Sequence, residues 1–189
     1  MYQSLLADAT FYDLLLAFDA DLAEAARDGR CPLCAGALHS AKFRRKPRGR
    51  LCKLGPEHDL RFSFCCAVDL CRKRETPPSL RFLGRKVYIA VSVTLIAIMR
   101  HGATVSRVAA LSAAIGVDRR TIERWRRWWR DSFTATPFWQ GARAALMPPV
   151  DPAKLPASLL ERFAGSGADR MIALLRFIAP ITGGRARVL

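Results

Sequence analysis

The first hydrophobic pattern along the chain is helical. Between residues 10 and 28 the apolar positions that share one helical face are Phe11, Leu14, Leu15, Phe18, Leu22, Ala25 and Ala26. Apolar residues three and four positions apart lie on the same side of an α-helix. The spacing therefore predicts an amphipathic helix over 10–28, with Thr10 as its N-cap and Gly29 as its stop.

Residues 30–80 lose this periodicity and predict a small β module. The segment is rich in Gly and Pro and has only short apolar runs, of which RFSF at 61–64 is the clearest candidate strand. Within the module, residues 43–55 are interrupted by Pro47, Gly49 and Gly55, which predicts a solvated basic loop or hairpin tip.

Helical spacing returns after Pro77 and Pro78. It predicts a long core helix over 83–99 and two further helices over 104–115 and 118–133, separated by breaks at Gly102 and Gly116. Five prolines between positions 137 and 156 predict a linker over 136–154, followed by short helices over 156–164 and 169–179. The longest uncharged run covers 13 residues, whereas a helix that crosses a bilayer needs roughly 20.

Charge is concentrated in the middle of the chain. The 31 Lys and Arg residues exceed the 16 Asp and Glu residues by 15, and residues 31–130 hold 22 of the bases but only six of the acids. Residues 1–30 instead hold six acids against Arg27 and Arg30, so the first helix is a poor candidate for binding phosphate. Such an excess of positive charge indicates an acidic partner, and nucleic acid is the first expectation.

Four cysteines have the spacing of a structural metal site. Cys31 and Cys34 form a C-x2-C pair, and about 30 residues later the sequence CCAVDLC offers a second pair. We prefer Cys66 with Cys71, because four intervening residues suit such a turn better than five, and Cys65 is the alternative to Cys66. Four thiolates close a tetrahedral site, so the spacing predicts a structural Zn²⁺ ion.

A catalytic zinc site would need an open coordination position and a general base. His39, His58 and Glu57 do not have the spacing of a zinc hydrolase, although either histidine in place of one thiolate is an alternative. Cys52 receives no role. The first residues lack a basic leader and a cleavage site, so we expect a cytoplasmic protein, whose reduced thiols favour a metal over disulfides.

The segment VAALSAAIGVDRRTIERWRR at 108–127 has the spacing of a helix-turn-helix. The positions where the two helices would pack hold Leu111, Ile115, Val117, Ile122 and Trp125, and Gly116 lies at the turn. An ordinary helical hairpin is the alternative interpretation. The second helix favours DNA binding, because its aromatic and aliphatic residues gather on one side and its arginines on the other.

Each residue of the second helix has an expected role. The residues predicted to face base edges are Arg119, Arg120, Thr121 and Arg124. The residues predicted to contact phosphates are Arg126, Arg127 and Arg130. Asp118 is the expected cap, and Glu123 either faces solvent or accepts from cytosine. Trp125 and Trp129 are predicted to be core residues rather than a surface on which bases stack.

A second cationic surface is predicted in the β module. It comprises Lys42, Arg44, Arg45, Lys46, Arg48, Arg50, Arg72, Lys73 and Arg74. Because few acidic residues accompany these bases, contact with the DNA backbone is preferred over a merely solubilising role.

The stretches CPLCAGALH, RFSFCCAVDLCRKRETPPS and VAALSAAIGVDRRTIERWRRWW together resemble the zinc-ribbon and helix-turn-helix region of bacterial transposases and of small proteins encoded beside them. The resemblance covers about residues 31–130, and its most specific part is the run CRKRETPPS at 71–79. It implies that Cys31, Cys34, Cys66 and Cys71 are metal ligands and that the module binds transposon ends.

The chain departs from a full transposase after the helix-turn-helix. Such enzymes carry a ribonuclease-H-like domain with three metal-binding carboxylates, whereas the acids after residue 130 are only Asp131, Asp151, Glu161 and Asp169. We therefore expect a non-enzymatic, transposon-associated protein that recognises a specific duplex site. The alternatives are a transcriptional regulator with the same two modules, a metal-dependent nuclease, and an RNA-binding protein.

The expected architecture is mainly α-helical, with a small β zinc-ribbon module and a helix-turn-helix three-helix core. Its divisions are an acidic N-terminal helix (1–29), the zinc module (30–80), the helix-turn-helix domain (81–135), and a linker with short C-terminal helices (136–189). The expected partners are double-stranded DNA and either a transposase or a second copy of the chain, with no membrane and no small-molecule substrate. The expected location is the bacterial cytoplasm, in association with the nucleoid.

Overall fold

The computed structural model describes residues 4–45, 53–83, 87–88 and 104–183. Its first long helix, α1, spans Ala9–Asp28 and ends at Gly29, which confirms the predicted helix. The cap differs from the prediction, because the Asp8 carboxylate accepts hydrogen bonds from the backbone N–H groups of Thr10 and Phe11 at 3.0 and 3.3 Å. Asp8 thus satisfies N–H groups that have no partner within the helix, and Thr10 lies inside the first turn.

Short antiparallel strands form the β module. In chain order they are β1 (Leu38–Ser40), β2 (Phe43–Arg44), β3 (Leu60–Arg61), β4 (Phe64–Cys66) and β5 (Arg74–Glu75). One sheet has the order β1-β4-β5, and β2 pairs with β3 in a second sheet. The strand predicted over 61–64 is therefore divided, with its first residue in β3 and its last in β4.

A further hairpin replaces the start of the helix predicted over 83–99. β6 (Phe82–Leu83) pairs with β7 (Val87–Tyr88), so this part of the prediction is wrong. Aromatic and β-branched residues suit a strand as well as a buried helix, and a short apolar run does not separate the two. Residues 89–99 and the break predicted at Gly102 lie outside the described residues.

Two helices joined by a tight turn follow. α2 spans Val105–Ile115 and α3 spans Arg119–Arg127, in agreement with the helices predicted over 104–115 and 118–133. Gly116 lies between them with φ of +61°, a left-handed conformation that glycine adopts without a steric penalty. α3 continues into a π-helical turn over Trp128–Phe133. The structure is thus mainly helical with a small antiparallel β module.

The segment 136–154, predicted to be a linker because of its prolines, is partly helical. It contains α4 (Pro137–Ala142), which begins where the hydroxyl of Thr136 accepts the N–H of Trp139 at 3.1 Å. Trp139 is only 1% exposed and packs against Phe133, with 5.1 Å between the ring centroids. The two short helices predicted after this segment are present as α5 (Ala157–Leu160) and α6 (Gly167–Ile178).

Two hydrophobic cores share α1. The larger core receives Phe11, Tyr12 and Leu15 from the first half of α1 and packs them with β6 and the helices that follow Gly116. The smaller core receives Ala23 from the second half of α1, and its other members are Cys31, Leu38, Phe64 and Cys66. One helix therefore connects the β module to the helical part of the protein.

A buried ionic network lies between these cores. The Asp19 carboxylate of α1 accepts hydrogen bonds from the backbone N–H of Leu80 at 2.6 Å and from Nε of Arg81 at 2.8 Å, and also from the hydroxyl of Ser79. Arg81 in turn donates to the carbonyls of His58 and Leu60, both at 3.0 Å. The acidic first helix, which received no role from its sequence, thus anchors the β module.

Candidate metal centre and arginine-rich helix

Four thiols converge at the turns of the β module. The Sγ atoms of Cys31, Cys34, Cys66 and Cys71 all lie within 4.8 Å of one another. The Cys31–Cys71 and Cys34–Cys66 separations are 3.7 and 3.4 Å. Sulfurs bound at about 2.3 Å to a tetrahedral ion lie about 3.8 Å apart, whereas a disulfide would require about 2.05 Å. The arrangement therefore fits a metal ion with four thiolate ligands.

The two adjacent cysteines of β4 take different sides. Successive side chains of a strand point to opposite faces of the sheet. Cys66 is fully buried within the cluster, whereas the thiol of Cys65 faces the carbonyl of Arg72 at 3.5 Å. Of the histidines considered as replacement ligands, His39 lies opposite Cys65 in β1, and Nε2 of His58 contacts Asp13 at 3.1 Å.

Backbone N–H groups point at the sulfurs. A hydrogen bond from the N–H of Leu33 lowers the pKa of Cys31 to about 7. The N–H groups that act to lower the pKa of the other three thiols belong to Gly36, Val68 and Lys73, but burial and the neighbouring thiols raise each pKa above its usual value. Thiols this close resist joint ionisation unless a cation lies among them. A metal ion would supply that charge.

The backbone approaches the cluster closely at Gly36. A Cβ atom at this position would lie 3.2 Å from Sγ of Cys66, 3.3 Å from Sγ of Cys34 and 2.6 Å from Cγ2 of Val68.

The residue after the second cysteine of each pair has a positive φ, 56° at Ala35 and 44° at Arg72. Non-glycine residues adopt this conformation only where the surroundings impose it. The two halves of the cluster therefore turn in the same way.

α3 has a buried apolar face. Ile122 and Trp125 are 0% and 4% exposed, and Trp129 and Phe133 in the following turn are 1% and 0% exposed. Trp128 is half-buried and lies edge-on to Trp129, with 5.0 Å between the ring centroids. The prediction that Trp125 and Trp129 are core residues is confirmed. The side chain of Leu111 lies outside the described part of the chain.

The opposite face of α3 carries exposed arginines. Arg119, Arg120, Arg124 and Arg127 are exposed and line an open depression together with Asp118 and Glu123. Within the described ranges, no carboxylate lies within salt-bridge distance of these four arginines, which we name the arginine row. Two other arginines of the segment do pair, Arg126 with Glu123 at 3.6 Å and Arg130 with Asp131 at 3.0 Å. Asp131 raises the pKa of Arg130.

The hydroxyl of Thr121 is not free, because it is hydrogen-bonded to Asp118 and Arg124. Thr121 is 8% exposed, and its hydroxyl donates to Oδ2 of Asp118 at 2.9 Å and accepts from Nη2 of Arg124 at 2.8 Å. Its backbone N–H donates to Oδ1 of Asp118 at 2.9 Å, so Asp118 is the cap as predicted. These hydrogen bonds from Thr121 lower the pKa of Asp118. The hydroxyl and the N–H of Thr121, a residue predicted to face base edges, are therefore engaged within the protein.

The basic residues of the β module surround an aromatic ring. The guanidinium groups of Arg45 and Arg74 lie 4.7 and 5.7 Å from the centre of the Phe43 ring. Among the predicted phosphate contacts, Arg44, Arg72, Lys73 and Arg74 are exposed, and Arg72 also contacts Asp69 at 3.7 Å. The predicted residues Lys46, Arg48 and Arg50, together with Cys52, lie outside the described residues.

Comparison of the chain with protein-family models, with curated proteins and with solved structures found no match. No helix among the described residues combines the length and apolar character needed to cross a membrane. The cysteine cluster and the arginine row are the two features of the described residues that bear on function.

Proposed function

We propose that the protein recognises a specific site on double-stranded DNA through α3, that a structural Zn²⁺ ion holds its β module, and that it has no catalytic centre. The observation that carries the proposal is the arginine row, which has no carboxylate within salt-bridge distance among the described residues, while the other face of α3 is buried. Unpaired guanidinium groups suit phosphates and the acceptor atoms of guanine.

The geometry around Gly116 supports the interpretation of α2 and α3 as a helix-turn-helix. The N–H of Val117 donates to the carbonyl of Ser112 at 3.1 Å, which closes the turn. Ile115 and Val117 are 5% and 4% exposed, so the turn packs into the core. In this motif the N-terminal part of the second helix enters the major groove. Arg119, Arg120 and Arg124 lie at that end of α3.

The four thiols would hold the zinc ion without leaving a coordination position open. Zn²⁺ with four cysteine ligands contributes folding energy, whereas catalytic zinc keeps a position for water or substrate. The ion would fix the turns that bear Arg72 and Lys73. These residues and Arg44 would then contact phosphates beside the groove that α3 enters.

The sequence resemblance suggests a mobile element as the setting, in which the protein binds element ends or assists a transposase. A transcriptional regulator with the same modules would also read a duplex, but at promoters. The position of the bound sites in a genome distinguishes the two, because element termini and promoters are separate locations.

The test is selection of bound sequences from a random pool of DNA duplexes by the zinc-loaded protein at fixed salt. We expect one enriched motif, and we expect Arg120→Ala with Arg124→Ala to abolish enrichment. Arg143→Ala, an exposed arginine outside α3, is the matched control and should leave enrichment unchanged. Absence of a motif, tighter binding of RNA than of duplex DNA, or cleavage of DNA by the protein would each contradict the proposal.

A further inference from the structure

We propose that Arg124 is the residue by which α3 discriminates among base pairs, and that Thr121 is the positioning residue that aims it. The inference rests on the proposed function and deepens it. It assigns one member of the arginine row to a guanine edge in the major groove and leaves the others to affinity for the DNA backbone.

Three consecutive hydrogen bonds define the orientation of Arg124. The N–H and the hydroxyl of Thr121 donate to the two carboxylate oxygens of Asp118, each at 2.9 Å. The hydroxyl of Thr121 has only one proton, so its lone pairs are left for Nη2 of Arg124 at 2.8 Å. The carboxylate of Asp118, the hydroxyl of Thr121 and the guanidinium group of Arg124 are therefore linked in series by hydrogen bonds.

These hydrogen bonds leave Arg124 able to bind a base. A guanidinium group has five N–H donors, and the bond to Thr121 uses one of them. The remaining donors include the pairs that meet O6 and N7 of guanine with two hydrogen bonds. A guanidinium group that is already held in one orientation loses less conformational entropy on binding than a mobile one. A bidentate contact also requires a fixed orientation.

The rest of the arginine row lacks such a tether. Across the ranges that the structure describes, no side-chain hydrogen bond holds Arg119, Arg120 or Arg127, and all three are exposed. Mobile cationic side chains bind phosphates regardless of sequence. Thr121 itself is 8% exposed and acts only through Arg124.

The experiment uses the zinc-loaded full chain and the duplex site obtained by selection. Dissociation constants are measured for that site and for duplexes in which each base pair is changed in turn, over a series of salt concentrations. We expect one G·C pair whose replacement weakens wild-type binding on the order of tenfold. Arg124→Ala should remove the preference at that pair alone, and Arg124→Lys should do the same while keeping the salt dependence.

Thr121→Val separates the positioning role from the contact. Valine keeps the shape of threonine and loses the hydroxyl, so the preference at that G·C pair should fall several-fold while the salt dependence is unchanged. Thr121→Ser should restore the preference. Thr134→Val is the matched control, since it removes a hydroxyl that donates to the carbonyl of Arg130 at 2.6 Å, away from the row.

Three results overturn the inference and leave the proposed function standing. They are full discrimination by Thr121→Val, failure of Thr121→Ser to restore it, and an equal loss by Arg124→Ala on every duplex. If Thr121→Val does not fold, as judged by circular dichroism, Arg124→Lys and Thr121→Ser decide the question. Absence of any preferred duplex for the wild-type protein would instead contradict the proposed function itself.

Discussion

The two buried arginines, Arg61 and Arg81, and the arginine row of α3 occupy opposite environments. Arg61 and Arg81 are 3% and 7% exposed, and burial lowers the pKa of both, that of Arg61 to about 10. Arg61 donates to the carbonyls of Pro77 and Thr182, and Arg81 pairs with Asp19. The arginine row of α3 is exposed and has no carboxylate within salt-bridge distance in the described segments.

The difference shows that local partners, and not the count of bases, decide which cations face solvent. Asp19 belongs to a helix whose acids appeared irrelevant to the basic middle of the chain, yet it lies 62 residues from Arg81 and neutralises it. A buried guanidinium group needs polar partners, which are carbonyl oxygens for Arg61 and a carboxylate for Arg81, because transferring a charge from water is costly. The arginines proposed to bind nucleic acid are exposed and lack such buried partners.

The largest difference between the β module and α3 is expected when a ligand of the metal ion is removed. Cys66→Ser should reduce the bound zinc from one ion per chain to none and unfold the β module, because the small core is built around that thiol. Metal analysis and amide hydrogen exchange measure the two effects, and protection should be lost over residues 38–75 more than over α3. Cys65→Ser is the matched control. Equal zinc loss by both variants would contradict the assigned cluster.

The next largest effect is expected at the buried ion pair. Asp19→Asn should lower the free energy of unfolding by about 3 to 5 kcal/mol, because it leaves the buried charge of Arg81 without its partner. Asp21→Asn, an exposed acid of the same helix, should change it by less than about 0.5 kcal/mol. Denaturant unfolding measures both values. Similar values for the two variants would show that Asp19 does not anchor Arg81.

Replacing an exposed arginine of α3 should change DNA binding and not the free energy of unfolding. Arg127→Ala should reduce the slope of log Kd against log salt by about 1 for duplex DNA, as expected for one lost phosphate contact. Stability should change little, because the side chain is exposed. Arg143→Ala should alter neither quantity. An unchanged slope for Arg127→Ala would remove this residue from the DNA-binding surface.

The smallest effect concerns the cap of α3 in acid. Hydrogen bonds from Thr121 hold the pKa of Asp118 below its usual value, so the folded state favours the carboxylate. This stabilisation is present above the pKa of the unfolded chain and is lost as the pH falls through the folded pKa. Asp118→Asn should therefore flatten the acid side of the stability profile, measured by denaturant unfolding between about pH 5 and pH 2.

Asp169 provides an independent check on that pH effect. Ser166 lowers its pKa in the capping box of α6. Asp169→Asn should flatten the same range, and the two changes should add because the caps lie in different helices. If the acid profile of Asp118→Asn were identical to that of the wild-type protein, the cap of α3 would contribute no pH dependence.

Features that depend on neighbours along the chain could be predicted from the sequence. The helical spacing of α1, the preference for Cys66 over Cys65 and the two faces of α3 all follow from residues a few positions apart. The pair Asp19 and Arg81 could not be found in this way, because no local pattern connects two polar residues 62 positions apart.

Two errors had different physical origins. α4 had a usable signal, since Thr136 followed by Pro137 is the cap and first position of many helices, but the later prolines suit a linker equally well. The strand β6 had none, because its apolar residues fit a helix or a strand until a partner strand is known.

The contact between Ser79 and Thr182 constrains the order of events during synthesis on the ribosome. The N–H of Ser79 donates to the hydroxyl of Thr182 at 2.7 Å, across 103 positions of the chain. At about 5 to 20 residues per second, translation needs on the order of 5 to 20 s to deliver the second partner after the first. All four clustered cysteines emerge before that interval begins, so the candidate metal centre is complete in a nascent chain whose larger core is still open.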